Sequence, residues 1–204
     1  MRQIRLVTIL FPIVAAFTFN MSAAVWASIG SPVPGNQACE REMMRAARDH
    51  KIPVNVLYAV SLTESGRRGR LDPFAINIEG KAAFSQTREE AMEKVRAARA
   101  RGAKLIDIGC MQINHHYHAS RFSSLSEMFD PARNVDYGAR FLIELKAREG
   151  TWTMAVARYH AGASNTAAQK TYICRVIQNM VASGLGEWTP AAKSFCAERT
   201  LINR

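Results

Sequence analysis

Residues 53–65 read Pro-Val-Asn-Val-Leu-Tyr-Ala-Val-Ser-Leu-Thr-Glu-Ser, an apolar run with a helical period that ends on a carboxylate. Leu57, Val60, Ser61 and Glu64 fall at i, i+3, i+4 and i+7, so Glu64 shares the stripe that a helix turns toward its core. Pro53 suits the opening of that helix, because its φ is already fixed near the helical value and its missing N–H is one that a first turn leaves unused. A carboxylate in the last turn of such a helix meets desolvation and the negative end of the helix dipole, and both raise its pKa.

The neighbouring segments extend the helical pattern in both directions. Upstream, Cys39, Met43, Ala46 and Ala47 recur at helical spacing with Arg45 and Arg48 on the other side. Downstream, Gly66, Gly69 and Pro73 break the chain, and residues 74–85 alternate around Glu79-Gly80-Lys81 as a short hairpin. Thr87 with Glu90 forms a capping box that starts a helix reaching Arg101 and stopped by Gly102, after which residues 105–114 are extended or turning. Ser124 with Glu127 starts a short helix, and Asp130 with Pro131 caps a longer one through Tyr137, Phe141 and Leu145 to Gly150. Thr151 caps a helix over 152–159, and residues 166–183 form the last helix. Six or seven helices with one small hairpin define a mainly α (α+β) fold. A domain over 38–183 then follows a Pro- and Gly-containing leader at 28–37 and precedes a tail at 184–204.

Residues 6–19 are almost uncharged, follow Arg2 and Arg5, and lead to Val25 and Ala27, the two small residues of a cleavage site. About 14 apolar residues are too few to cross ~30 Å of hydrocarbon, so 1–27 reads as a secretory signal peptide and places the protein in the periplasm or otherwise outside the cytoplasm. The whole chain carries +10. Without Arg2 and Arg5 it keeps 25 basic against 17 acidic residues, a charge of +8. An exported basic domain whose Arg and Lys lack interleaved aromatics suits an acidic wall polymer better than nucleic acid. Four cysteines, Cys39, Cys110, Cys174 and Cys196, make two disulfides in such a compartment. Three connectivities are open. Cys39 with Cys110 and Cys174 with Cys196 is preferred, since the 22 residues of the second pair let a helix and a returning tail close a modest loop.

Chemistry enters with Glu64, because a carboxyl group that keeps its proton near neutral pH can protonate a glycosidic oxygen. Four motifs in order, Glu64-Ser65, Gly109-Cys110-Met111-Gln112, the run Ala157-Arg158-Tyr159-His160-Ala161-Gly162, and Tyr172, resemble those of the soluble lytic transglycosylases. The resemblance covers residues 39–181 and implies a goose-type lysozyme-like fold. It also implies Glu64 as sole catalytic acid and base, a sugar groove lined by Met111 and Gln112, and tyrosines 159 and 172 around the carboxylate. Ser65, Asn114 and His160 complete the implied substrate contacts. A Gln amide suits the hydroxyl and acetamido groups of an amino sugar, and Tyr offers an apolar face with a polar tip. Tyr159 is the stronger groove residue; Tyr172 by itself reads as core with a satisfied hydroxyl.

The sequence departs from the family pattern at Cys110, where Leu is common, and at His160, where Asn is usual. Glu64 and Gly109 lie 45 positions apart, an interval lengthened by the hairpin and an inserted helix over 87–101. The run Pro73-Phe74-Ala75-Ile76-Asn77, similar to one in exported members, would extend a wall of the groove. His115, His116 and His118 lack the i, i+4 spacing and accompanying carboxylate of a metal site, so they read as groove-lining or surface residues.

The resulting expectation is a monomeric exported enzyme, needing no cofactor, that cleaves the bond between N-acetylmuramic acid and N-acetylglucosamine in peptidoglycan strands. Glu64 first protonates the bridging oxygen, then accepts the proton of the muramic acid 6-hydroxyl as it closes to the 1,6-anhydro product. Two rivals stand beside it. One is a hydrolytic muramidase with Asp72 or Glu79 as second carboxylate. The other is a non-catalytic peptidoglycan-binding protein of a secretion, pilus or flagellar complex. N-terminal sequencing of the exported protein is expected to begin at or near Ser28; an intact Met1 on a membrane-embedded product would reject cleavage.

Overall fold

The computed structural model describes residues 37–67, 69–161 and 164–197. The expected signal segment at 1–27, the expected leader as far as residue 36 and the end from residue 198 lie outside them. The chain opens with α1 (Ala38–Asp49) and α2 (Val54–Ser65), followed by β1 (Gly66–Arg67) and β2 (Arg70–Leu71). Next come β3 (Ile76–Ile78), β4 (Lys81–Ala83), α3 (Arg88–Ala100), β5 (Ile106–Ile108) and β6 (Ile113–Asn114). The rest is helical: α4 (His115–His118), α5 (Leu125–Met128), α6 (Pro131–Glu149), α7 (Trp152–Ala161), α8 (Thr166–Ala182) and α9 (Pro190–Ala197). The fold is mainly α and lysozyme-like. None of the described helices is long and apolar enough to cross a membrane.

Local signals set most boundaries. The Thr87 hydroxyl accepts from the Glu90 amide, Ser124 from that of Glu127 and Asp130 from that of Arg133, each satisfying a donor that a first turn leaves free. Gly150 ends α6 with φ 81°, the left-handed conformation that costs glycine least. Two expectations are corrected. The extended part is larger than one hairpin, because β5 pairs antiparallel with β3 (Ile76↔Ile108) and with β6 (Asp107↔Asn114), giving a sheet of order β4-β3-β5-β6. The helix over 166–183 is not the last, since Thr189 accepts from the Ala192 amide and starts α9. Cys174–Cys196 ties α9 back to α8, and Cys39–Cys110 joins α1 to the turn between β5 and β6, which is the preferred pairing.

The helices pack against one another in a ring, α1 on α2, α2 on α8, α8 on α7, α7 on α6 and α6 on α1. Leu57 and Val60 of α2, Ile76 and Ile108 of the sheet, and Phe129 and Leu142 near α6 are fully enclosed in one core. Between sheet and helices stands Asn134. Its amide donates to the carbonyls of Ile108 (2.9 Å) and Met128 (2.8 Å), while its oxygen accepts from the Met111 amide at 2.8 Å. A Cβ on Gly109 would stand 2.7 Å from Asn134 Nδ2, and one on Gly138 would stand 2.8 Å from the Met111 side chain, so the 109–112 turn lies flat on α6. Asn134→Ala strands two carbonyls and an amide in the core, at about 1–3 kcal/mol for each buried unpaired group. Urea unfolding should therefore show a loss of about 3 kcal/mol or more, well beyond the ~1 kcal/mol of an average substitution.

Candidate functional site

Glu64 ends α2 with its side chain only 13% exposed. Ser65, the next residue, is buried and donates through Oγ to the Cys110 carbonyl at 2.7 Å, which locks the end of α2 to the β5–β6 turn. From α8, Tyr172 donates its phenol to Glu64 Oε1, a short contact made inside the protein. His160, near the end of α7, lies parallel on the Tyr172 ring at 4.4 Å between centroids and 1° between planes. Its Nδ1 stands 3.9 Å from the same Glu64 oxygen. The preceding residue, Tyr159, donates to the Met111 carbonyl at 2.8 Å.

The electrostatics follow from this enclosure. Burial pushes Glu64 up to about 8; the Tyr172 hydrogen bond pulls the other way, and the charge of Asp107 adds to the rise. Desolvation wins because one hydrogen bond from a phenol does not replace the water shell of a carboxylate. Near pH 7 the group is therefore largely protonated. With Tyr172 donating to Oε1, that oxygen is the carbonyl one and the acidic proton belongs on Oε2. Both tyrosines are held well above the ordinary phenol range by burial and then by Glu64, so they stay neutral donors. Burial, followed by the charge of Arg175, lowers His160 and favours a neutral imidazole.

The structure brings Glu64, Tyr159, His160 and Tyr172 together and reassigns the other expected contacts. Ser65 and Met111 are closed off from solvent, so they hold the turn rather than reach a ligand. Met111 contacts the Ser61 hydroxyl through Sδ at 2.7 Å and presents its carbonyl to Tyr159. Gln112 adopts φ 44° and donates both amide hydrogens inward, to the carbonyls of Ala75 and Gly109 at 3.0 Å each, which leaves its oxygen as its side-chain acceptor. Asn114 caps α4 by accepting from the His116 and Tyr117 amides, and donates to Asp107 at 2.7 Å. Among the histidines, His118 meets the Tyr137 hydroxyl at 2.8 Å. No group of three or more His, Cys, Asp or Glu among the described residues could hold a metal ion. A cavity of about 320 Å³ lined by residues including Tyr58, Leu62, Asn179 and Ser183 contains none of the expected site residues.

Asp72 and Glu79, the sequence candidates for a second carboxylate, are both spent on local structure. Asp72 accepts from the Phe74 amide at 2.8 Å, and Glu79 sits exposed at φ 49° in the hairpin and accepts from the Lys104 amide. The carboxylate that acts on Glu64 is Asp107 of β5, itself raised by burial and countered by Asn114. The alternation Ile106-Asp107-Ile108 is the trace of it in the sequence.

The chain belongs to the transglycosylase SLT domain family, whose model matches residues 42–174. Members are lytic transglycosylases, lyases that act on peptidoglycan, and this chain is an enzyme of that class. Comparison with curated proteins and with solved structures gave no match.

Carboxyl-carbon NMR of labelled Glu64 should register opposite shifts from its two neighbours. Tyr172→Phe removes a hydrogen bond that favours the ionised form, and the titration midpoint moves above about 8. Asp107→Asn removes a repelling charge and moves it below about 8. Shifts of the same sign in both variants would contradict these assignments.

Proposed function

We propose that the protein is exported and cleaves the bond between N-acetylmuramic acid and N-acetylglucosamine by intramolecular closure, with Glu64 as acid and then base. The observation that carries this reading is the enclosed Glu64 carboxyl under Tyr172, which occupies one of its two oxygens while burial pushes its pKa up to about 8. In the first step Oε2 gives its proton to the bridging oxygen, and the leaving sugar departs as an alcohol while positive charge grows on the muramic acid ring. The resulting carboxylate faces that cation. It then takes the proton of the 6-hydroxyl as O6 bonds to the anomeric carbon, and Glu64 ends the cycle protonated as it began. The two steps need opposite forms of one group, so a pKa near the working pH serves both. Tyr159, His160 and the oxygen of Gln112 are the contacts assigned to the sugar; Ser65, Met111 and Asn114 hold the frame behind them.

A hydrolytic muramidase is the second reading; its second carboxylate would be Asp107, whose charge acts on Glu64, in place of Asp72 or Glu79. A hydrolase needs a carboxylate placed to position water or to bond the sugar, and Asp107 is instead bonded to Asn114 and partly desolvated.

On purified peptidoglycan in labelled water, the products are expected to carry 1,6-anhydro-muramic ends without solvent oxygen; a labelled reducing end would establish hydrolysis. Glu64→Gln should lower turnover by about 10²–10⁴ or more while folding normally. Its stability relative to the parent should improve as pH rises from about 4.5 toward about 8, because over that range only the unfolded parent ionises Glu64 freely. Asp72→Asn and Glu79→Gln should each keep turnover within about tenfold, short of a general acid–base loss.

A further inference from the structure

We propose that His160 is a positioning residue that must be uncharged for turnover: its imidazole braces the Tyr172 ring that holds Glu64, and its protonation sets a positive charge beside the sugar as the sugar becomes cationic. This rests on the assignment of Glu64 as acid and base. The geometry is specific. The rings of His160 and Tyr172 are parallel at 4.4 Å, and Nδ1 lies 3.9 Å from the oxygen that Tyr172 bonds, too long for a hydrogen bond and short for a charge. The imidazole is 48% exposed, so protons reach it from solvent while Glu64 beneath it is enclosed.

The groups that face this ring decide the sign. Glu64 of α2 lies beneath it, Tyr172 and Arg175 of α8 flank it, Tyr159 precedes it on α7, and Asp107 of β5 acts on Glu64 from the sheet. With Glu64 protonated and both tyrosines neutral, the charges at work are Arg175, which disfavours imidazolium, and Asp107, which acts on the carboxyl. The imidazole is neutral at pH 7 and takes a proton below its ordinary value of 6.5. Imidazolium makes Glu64 a stronger acid for the first step, and against that gain stand two losses. It stabilises the Glu64 carboxylate, making it a weaker base for the 6-hydroxyl, and it repels the ring carbon on which positive charge develops. Turnover falls on the acid side through this one ionisation, while the alkaline side follows Glu64.

The test is a pH profile of glycan cleavage from pH 4 to 9 for the parent, His160→Asn and His160→Gln, each normalised to its own plateau and paired with imidazole NMR titration of the parent. The parent is expected to lose about tenfold per pH unit below an acid midpoint that coincides with the His160 titration. Both variants should hold their plateau about one pH unit or more lower and share the parent's alkaline limb. A structural role alone would scale the rate at every pH and leave the shape unchanged. Parent turnover with an acid limb that survives in both variants, or that misses the His160 titration, overturns the inference and leaves the proposed function standing. No cleavage by the parent overturns both.

Discussion

Asn134 bonds with one side chain to three main-chain groups from three segments: the end of β5, the end of α5 and the turn that carries Met111. A buried amide that satisfies three partners rigidifies them in proportion to the cost of leaving any of them bare. The turn it fixes is conformationally demanding, with Gly109 at φ 79° and Gln112 at φ 44°. Glycine meets the first requirement without strain; Gln112 meets the second because its side chain bonds back to Ala75 and Gly109. Everything at the site takes its position from that turn. Its Cys110 carbonyl receives Ser65 and so places the end of α2, and its Met111 carbonyl receives Tyr159 and so places α7.

The carboxyl group near the end of α2 lies against α8 and the end of α7, where water cannot fully solvate it. The charge state of Glu64 is then a contest between burial and the single phenol donated by Tyr172, which burial wins. The same phenol selects which oxygen carries the proton, so one contact supplies direction while the enclosure supplies the proton. Asp107 contributes from the sheet through Coulombic repulsion alone, and its hydrogen bond from Asn114 restrains its own rise. This is the division of labour expected where titratable neighbours push one group toward the working pH.

Features written in local sequence were legible, and features made by long-range closure were not. The caps at Thr87, Ser124 and Asp130, the breaks at Gly102 and Gly150 and the core-facing place of Glu64 follow from spacing over three to seven residues, and the structure contains them. The β3–β5 pairing joins residues about thirty apart, with only two or three residues per strand to announce it, so residues 105–114 read as extended without a partner. Asn134 looks like any polar residue in the first turn of a helix; its burial comes from the 109–112 turn folding down on it. Asp107 was hidden for the same reason, while Asp72 and Glu79 drew attention by nearness in sequence to Glu64. The enclosed position of Glu64 was legible and its electrostatic neighbour was not.

The Cys39–Cys110 disulfide passes directly beneath the 109–112 turn and joins it to the first helix across 71 positions. A loop of that size restricts the unfolded chain by roughly 4 kcal/mol in the entropic account. Both sulfurs are enclosed, so the bond forms before or during closure of the core and is shielded from reductants afterwards. A chain newly made in a reducing compartment therefore holds the turn by hydrogen bonds alone, with two thiols in the space of one covalent link. With both thiols reduced, the segment that receives Ser65 and Tyr159 would lose its only covalent tie to the first helix, so this one bond and the placement of the groups around Glu64 share a single short stretch of chain.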